Sequence, residues 1–486
     1  MKDQKGKRMK NSIFTFTFLL LILNSMIVNS SEPQNRNLDS VYNLLKSLPK
    51  IRIGITRGGG AGHQSAGVTV IERLRDLGYQ GPIEVIYDTE ETGEKLKMLI
   101  PPFGGQKKGL IQKFDNLNLT FIKGGKNFEI PKKLRVATDL QPLGIMGADD
   151  VATQPHHLNV KSLLVLEPPG WINKPHLMIS HENGQVTIQN LDDIRFLGIK
   201  LVLPSVENYN SFITSKLKTS GLNDKEQFLK SLFNARQNLF ILPVYSHGVR
   251  KSNTQLLILL KALFEVQHGT NRFSNSNIIV LVLNELDAGR LKRLKDSIDS
   301  HFNKLSWSGS VNAYRYDEIE ILKKMVDFQR VSDKWDQQIN LVALGAVPKP
   351  LFENLFLNLN LPGIVEGLNS IELLKQTGLP YLPSASFESF HFSRQLYGPD
   401  PNPISELGLS GLLKEAASEL LGPCDLENIC KTTALSEFYR LGIDRSSPLW
   451  KVYQEMQYEK GESQDDRETN DQLVQGLLKY LKTQKQ

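Results

Sequence analysis

Cysteine is nearly absent. Of 486 residues only Cys424 and Cys430 carry a thiol, and no histidine stands at ligand spacing beside them, so they do not make a zinc site. In an exported chain the two would close a small disulfide loop; in a reducing compartment they would be free thiols. Charge of one sign is also scarce. The formal balance is +6, and +4 of it lies in the first ten residues, where Lys2, Lys5, Lys7, Arg8 and Lys10 oppose Asp3. The remaining +2 is no electrostatic footprint for nucleic acid, which is excluded as a partner. Beyond residue 28 no apolar run is long enough to span a bilayer. Leu256 to Phe264 is interrupted by Lys261 and reads as a buried helix. No repeat of short period is present.

The chain has a basic start followed by the apolar stretch Ile13 to Val28, too short for an ordinary span and of the right length for a signal-peptide core. Val28 and Ser30 are small enough to place cleavage after Ser30. The segment 1–30 is therefore read as a signal peptide, with an uncleaved membrane anchor as the alternative. Either reading sends the body across the membrane from the basic end, so the protein is expected to be exported or secreted. Membrane association would run through residues 13–28. Asn118, Leu119 and Thr120 form a glycosylation sequon, relevant only in a eukaryotic secretory pathway. The body exceeds the size of a single core, and two domains are expected.

The densest chemistry lies at residues 55–67. The apolar run Ile51 to Ile55 leads into Gly58, Gly59, Gly60, Ala61, Gly62 and His63, and the helical spacing of Val68, Ile71, Leu74 and Leu77 leads out. Strand, glycine loop, helix is a layout in which the loop approaches a ligand closely and the helix aims unpaired N–H groups at it. The dinucleotide fingerprint is missing, since only Asp88 stands anywhere near the ribose position, and so is the P-loop, because no Gly-Lys-Ser/Thr closes the loop. A histidine at the loop-to-helix junction is what these motifs do not have.

Apolar β-rich runs recur at Ile51–Thr56, Ile83–Tyr87, Leu119–Ile122, Arg135–Thr138, Leu163–Leu166 and Lys200–Leu203, with helical patterns or Pro/Gly loops between them. A polar helix over Asn223–Gln237 is read as the crossing to a second half that restarts the pattern. There, strands are expected at Leu239–Tyr245, Ile278–Leu283, Leu341–Ala346 and Gly363–Val365, and helices at Thr254–Val266, Phe352–Leu359 and Ile371–Gln376. Leu473, Leu477, Leu478 and Leu481 suggest a last helix that packs back. The fold class is α/β: two tandem Rossmann-like, doubly wound domains facing across a cleft. The expected boundaries are an N-terminal domain over 48–235, a C-terminal domain over 236–425 and a helical tail over 426–486. Ligands bind such sheets outside the strand ends, so the loops 58–67, 246–253 and 366–370 would face the cleft, and Arg250 would pair with a diphosphate held there.

The three loops together resemble the GT-B glycosyltransferases, in particular the branch with the bacterial lipid II-forming N-acetylglucosaminyltransferase and the plant galactolipid synthases. In that branch the first loop reads Gly-Gly-Thr-Gly-Gly-His, and Gly58 to His63 matches except at Gly60 and Ala61. The second reads Gly-Gly-Ser-Gln-Gly-Ala-Arg and then Asn; Ser246, Gly248, Arg250 and Asn253 fall in register. The third is a small-residue loop and a helix bearing a glutamate, closed by Gly-Leu-Pro. Gly367, Asn369, Ser370, Glu372 and Gly378 to Pro380 are similar to it, with Glu372 one position early.

The resemblance implies transfer of a sugar from a nucleotide sugar to an acceptor hydroxyl of a lipid, glycan or protein, without a metal or other cofactor. His63 would be the general base. Gly59, Gly60, Gly62, Ser246, Gly248, Arg250, Asn253, Gly367, Asn369 and Ser370 would bind the nucleotide sugar, and Glu366 or Glu372 would hold its ribose hydroxyls. Nucleotide sugars are made in the cytosol, which sits awkwardly with an exported body. Two alternatives remain: a nucleotide-sugar 2-epimerase of the same fold, and an exported, catalytically degenerate glycan-binding protein. Asp139, Asp149 and Asp150 are further acceptor-side candidates. His156 and His157 have metal-like proximity, but adjacent residues on one strand point oppositely and no third ligand is visible, and His176, His181 and His391 are read as structural.

Overall fold

A computed structural model describes residues 36–57, 62–100, 111–114, 118–125, 130–131, 139–147, 153–167, 176–182, 185–191, 199, 224–234, 239–246, 253–269, 277–284, 286–304, 311–316, 318, 338–384, 408–422, 431–456 and 471–484. The leader, the runs expected at Arg135–Thr138 and Lys200–Leu203, both cysteines, Asp149, Asp150 and His391 lie outside these. Among the described residues no helix is long and apolar enough to cross a membrane.

The molecule is mixed α/β with two sheets. In chain order the first unit runs α1 (Arg36–Ser47), β1 (Ile51–Ile55), α2 (Gly62–Asp76), β2 (Ile83–Tyr87), α3 (Glu90–Leu99), β3 (Ile111–Phe114), β4 (Leu119–Lys123), β5 (Gln141–Met146), β6 (Val160–Val165), β7 (Leu177–Glu182) and β8 (Gln185–Asn190). The second runs α4 (Asp224–Asn234), β9 (Leu239–Tyr245), α5 (Asn253–Gly269), β10 (Asn277–Val282), α6 (Ala288–Lys304), β11 (Val311–Arg315), β12 (Ile339–Ala343), α7 (Lys349–Leu357), β13 (Gly363–Val365), α8 (Leu368–Thr377), β14 (Tyr381–Pro383), α9 (Leu409–Leu421), α10 (Thr433–Ile443) and α11 (Pro448–Met456). A last helix, α12 (Gln472–Thr483), follows.

The sheets are ordered β3-β4-β2-β1-β5-β6-β7-β8 and β11-β12-β10-β9-β13-β14. The second repeats the first six strands of the first, position for position. Each sheet starts in its middle, adds its second, fourth and third strands on one side, then reverses and adds its fifth and sixth on the other. The pairings among β1, β2, β4, β5 and β6 are parallel, as are all those of the second sheet. β3, β7 and β8 are antiparallel additions at the edges of the first.

Strand periodicity explains how the first sheet is covered. Ile51, Ile53 and Ile55 point to one face and pack with α1, α2 and α12. Residues of the opposite parity on neighbouring strands, Ile86, Met146, Leu163 and Val165, form a separate cluster on the other face. α12 packs back as its leucine spacing suggests: Leu473, Val474, Leu477 and Tyr480 are buried in the first core. Asp471 caps it by accepting from the N–H groups of Leu473 (2.8 Å) and Val474 (3.0 Å), and also takes Arg73 Nε at 3.0 Å. α4, read from sequence as a crossing helix, contributes Phe228, Leu229 and Leu232 to the second core, and α9, α10 and α11 join the same core.

The units meet along helices. α8 packs on α2 and α7 packs near α3. Lys349 bridges them, bonded to Glu72 of α2 and, at 2.7 Å, to Glu353 one turn along α7. Burial works against the Lys349 ammonium, but Glu72 and Glu353 outweigh it and hold it above its ordinary value. Glu353 is pushed up to about 7, first by burial and further by Glu72, with Lys349 opposing both.

Candidate functional site

A sheet that begins in its middle and reverses direction has a crevice where the two directions part, outside the carboxyl ends of the strands. That point lies between β1 and β5 in the first sheet and between β9 and β13 in the second. Each of the three loops singled out in the sequence follows a strand flanking one of these points.

In the first unit, β1 ends at Ile55 and Thr56 follows, fully buried. Its Oγ1 lies 3.0 Å from His63 Nδ1, so the ring is tied to the end of the strand it faces. Gln64 Nε2 donates to the Thr56 carbonyl at 2.7 Å, a second tie between the first turn of α2 and the strand end. Asp88, after β2, accepts from the Arg57 N–H at 3.0 Å and from Thr92 Oγ1 at 2.7 Å, which fixes the entrance to the glycine loop. Gly58 to Ala61, with the candidate glycines Gly59 and Gly60, lie outside the described residues. Gly62 is exposed, and a Cβ built on it meets nothing within 4 Å. The fold itself therefore makes no demand for glycine there. Gly147, at the end of β5, is the opposite case: a Cβ would stand 3.0 Å from the backbone carbonyl of Ala66 and 3.1 Å from Gly67 N. The residue that closes β5 thus presses against the opening turns of α2.

In the second unit three strand ends supply polar side chains to one spot. Ser246 directly follows β9, Glu366 directly follows β13 and Ser384 directly follows β14. Glu366 Oε2 lies 3.5 Å from both Ser246 Oγ and Ser384 Oγ. The backbone is locked around it: the Glu366 N–H donates to Tyr245 O at 2.7 Å, and the Ser246 N–H donates to Asn284 Oδ1 at 2.8 Å. Gly367 then takes φ +98°, a left-handed conformation that favours glycine, and opens α8. Ser246 and Ser384 are buried while Glu366 is partly exposed, so the carboxylate has both fixed hydroxyl neighbours and a face toward solvent.

No protein-family model and no curated protein matches the chain.

The remaining candidates are distributed differently. Ser370 and Glu372 sit in the first two turns of α8, both largely buried, and Glu372 Oε1 accepts from Gln376 Nε2 at 3.4 Å. Asn369 falls in the same first turn. Asn253 opens α5, where its Oδ1 accepts from Arg290 Nε at 2.8 Å and its Nδ2 donates to the Arg290 carbonyl at 3.3 Å. Its amide ties α5 to α6. Gly248 and Arg250 lie outside the described residues.

Asp139 lies away from the glycine loop. It pairs with Arg52 and Lys50, at the end of β1 opposite the glycine loop, and Arg52 is 1% exposed. His176 is buried and structural: its Nδ1 accepts from the Glu167 N–H at 2.9 Å, and Gln472 Nε2 lies 3.2 Å from its Nε2. His157 Nδ1 accepts from the Gln154 N–H at 3.1 Å.

Reading the sequence missed Thr56, Asn284 and Ser384. The signal was position: each is a polar residue within two places of a strand's carboxyl end, where side chains turn toward the crevice.

Proposed function

We propose that the protein transfers a sugar from a nucleotide sugar to an acceptor hydroxyl on a GT-B frame, with His63 as general base and no metal. The observation that carries this reading is the pairing of two unlike sites at equivalent points of two like sheets. One switch point holds a titratable ring, braced by Thr56 on Nδ1 at a helix start. The other holds a carboxylate set between two serines at a helix start opened by glycine. With Nδ1 engaged by Thr56, Nε2 is the nitrogen that takes the acceptor proton. Glu366, an acceptor-only group, suits the vicinal hydroxyls of a ribose, and the first N–H groups of α8 suit a diphosphate. Between the two glutamates left open by the motif, the position of Glu366 at the switch point favours it over the more enclosed Glu372.

The test is a thermal-shift panel of UDP-, GDP-, TDP- and CMP-sugars on the purified chain, with His63→Ala and Glu366→Gln beside it. A donor at about 100 times its dissociation constant adds about 2.7 kcal/mol of stability. One donor should raise the melting temperature of the native chain and of His63→Ala, and raise it much less for Glu366→Gln. Turnover of that donor should fall at least a hundredfold in His63→Ala. No shift with any nucleotide would remove the donor reading and leave the glycan-binding alternative.

A further inference from the structure

β8 is the last strand of the first sheet, and all six of its residues, Gln185 to Asn190, are exposed. Val186 and Ile188 are 54% and 59% exposed, the two most open large apolar side chains among the described residues. The strand carries no charge and no proline, the usual means by which an edge is kept from pairing. Its sequence from Gln185 to Gln189, Gln-Val-Thr-Ile-Gln, reads nearly the same in both directions.

The ladder fixes which backbone groups face outward. Leu191 N–H donates to His176 O at 2.8 Å, and the register sets Gln189, Thr187 and Gln185 opposite Met178, Ser180 and Glu182. In an antiparallel pair hydrogen-bonded positions alternate, so the odd-numbered residues turn their backbone toward β7. Val186 and Ile188 turn theirs to the outer edge.

A second β8 laid antiparallel about a two-fold axis at Thr187 meets this edge in register. Val186 falls opposite Ile188 of the second copy, and Ile188 opposite its Val186, each a hydrogen-bonded position with its N–H and C=O facing across. Thr187 falls opposite its own copy on the other face, and Gln185 opposite Gln189. Such a contact requires a strand complementary to itself, and this one is. The apolar pairs also lie on the face that carries Ile179, since Ile188 stands directly opposite Ile179, so they prolong the cluster of Leu163, Val165 and Ile179. β-branched residues directly opposite one another are favourable cross-strand pairs.

We propose that two copies of this chain pair antiparallel through β8, centred on Thr187, to make one continuous sheet of sixteen strands. The test is cross-linking by position, read with light-scattering mass on the purified full chain. Thr187→Cys should give a covalent dimer under mild oxidation, because it faces its own copy in a non-hydrogen-bonded pair, the closest spacing in the ladder. Gln189→Cys, which faces Gln185, should give at least tenfold less, and the native chain sets the background from Cys424 and Cys430. Ile188→Lys puts two ammonium groups on the same face beside the axis and should lower the dimer fraction at least tenfold, with an unchanged circular-dichroism melt showing that the fold survives. A monomer at every concentration overturns the proposal. So does a dimer indifferent to Ile188→Lys, or equal cross-linking at Thr187 and Gln189, which would signal unregistered association.

Discussion

Glu353 sits where two helical surfaces meet, sharing Lys349 with Glu72. Two carboxylates and one ammonium leave the cluster one negative charge in excess when all three are ionised, and burial, with Glu72 beside it, holds the proton on Glu353 to a higher pH than on an ordinary carboxyl. Its pKa rises from an ordinary 4.5 to about 7. The folded chain therefore holds more protons than the unfolded chain between these values, and stability falls as pH rises through the window, levelling off above it. The loss is on the order of 1–3 kcal/mol. Glu353→Gln cannot ionise, so its urea-unfolding free energy should be flat between pH 5 and 8 where that of the native chain declines. A parallel decline in the variant would mean that another group sets the slope. Lys349→Met is the complementary case. It leaves the two carboxylates without their cation, removes the influence that lowers the Glu353 pKa, and should cost about 3 kcal/mol at pH 8 and less at pH 5.

At the scale of the element, the strand-loop-helix from β1 into α2 was readable because its parts obey local rules: a short β-branched run, glycines, then helical spacing. The same rules located β2, β9, β10, β12, β13, α5, α7 and α8. They failed on β5, a central strand, because Pro142 and Gly144 read as turn residues. Pro142 is tolerated as the second residue of the strand, and the register has no partner at its position. They failed on β8 because its six residues are all exposed and no buried face imposes alternation, and on β7 because Met178 and Ile179, neighbours in sequence, are both buried, one on each face. The site was half readable for a related reason. His63 and Glu366 announce themselves beside glycines, whereas the hydroxyls of Thr56 and Ser384 matter only once strand order makes neighbours of residues far apart in sequence. Two glycines, Gly147 after β5 and Gly62 at the start of α2, separate fold from function. Gly147→Ala drives a Cβ against the α2 backbone, which cannot move aside as a side chain can, and should cost about 1–3 kcal/mol. Gly62→Ala meets nothing within 4 Å and should change stability by less than about 1 kcal/mol. On the proposed function it should still lower turnover, by crowding the approach to His63. Equal destabilisation of the two variants would show that the loop's glycines serve the fold alone.

The whole molecule is two units threaded by one chain that returns to where it began. Among the described residues α4 to α11 build the second core, whereas α12, the last helix, is buried against β-strands and α1 of the first. The first unit is thus made of two pieces separated by more than two hundred residues, and its completeness depends on α12. Without α12, Arg73, 1% exposed, keeps Asp76 but loses Asp471, itself fully buried. Breaking a buried pair costs about 3–5 kcal/mol. Uncovering Leu473, Val474, Leu477 and Tyr480 removes about 1.5–3 kcal/mol each for the aliphatic members. A domain of ordinary stability, about 5–15 kcal/mol, does not survive that sum. A chain of residues 222–458 should therefore unfold cooperatively on its own, in a single calorimetric transition. A chain of residues 31–220 should not, and fusing residues 468–486 to its end through a flexible linker should restore a transition. A cooperative transition in 31–220 without the added helix would show that α12 is an attachment to a unit already complete, and that the return of the chain ties the two halves together without building the first.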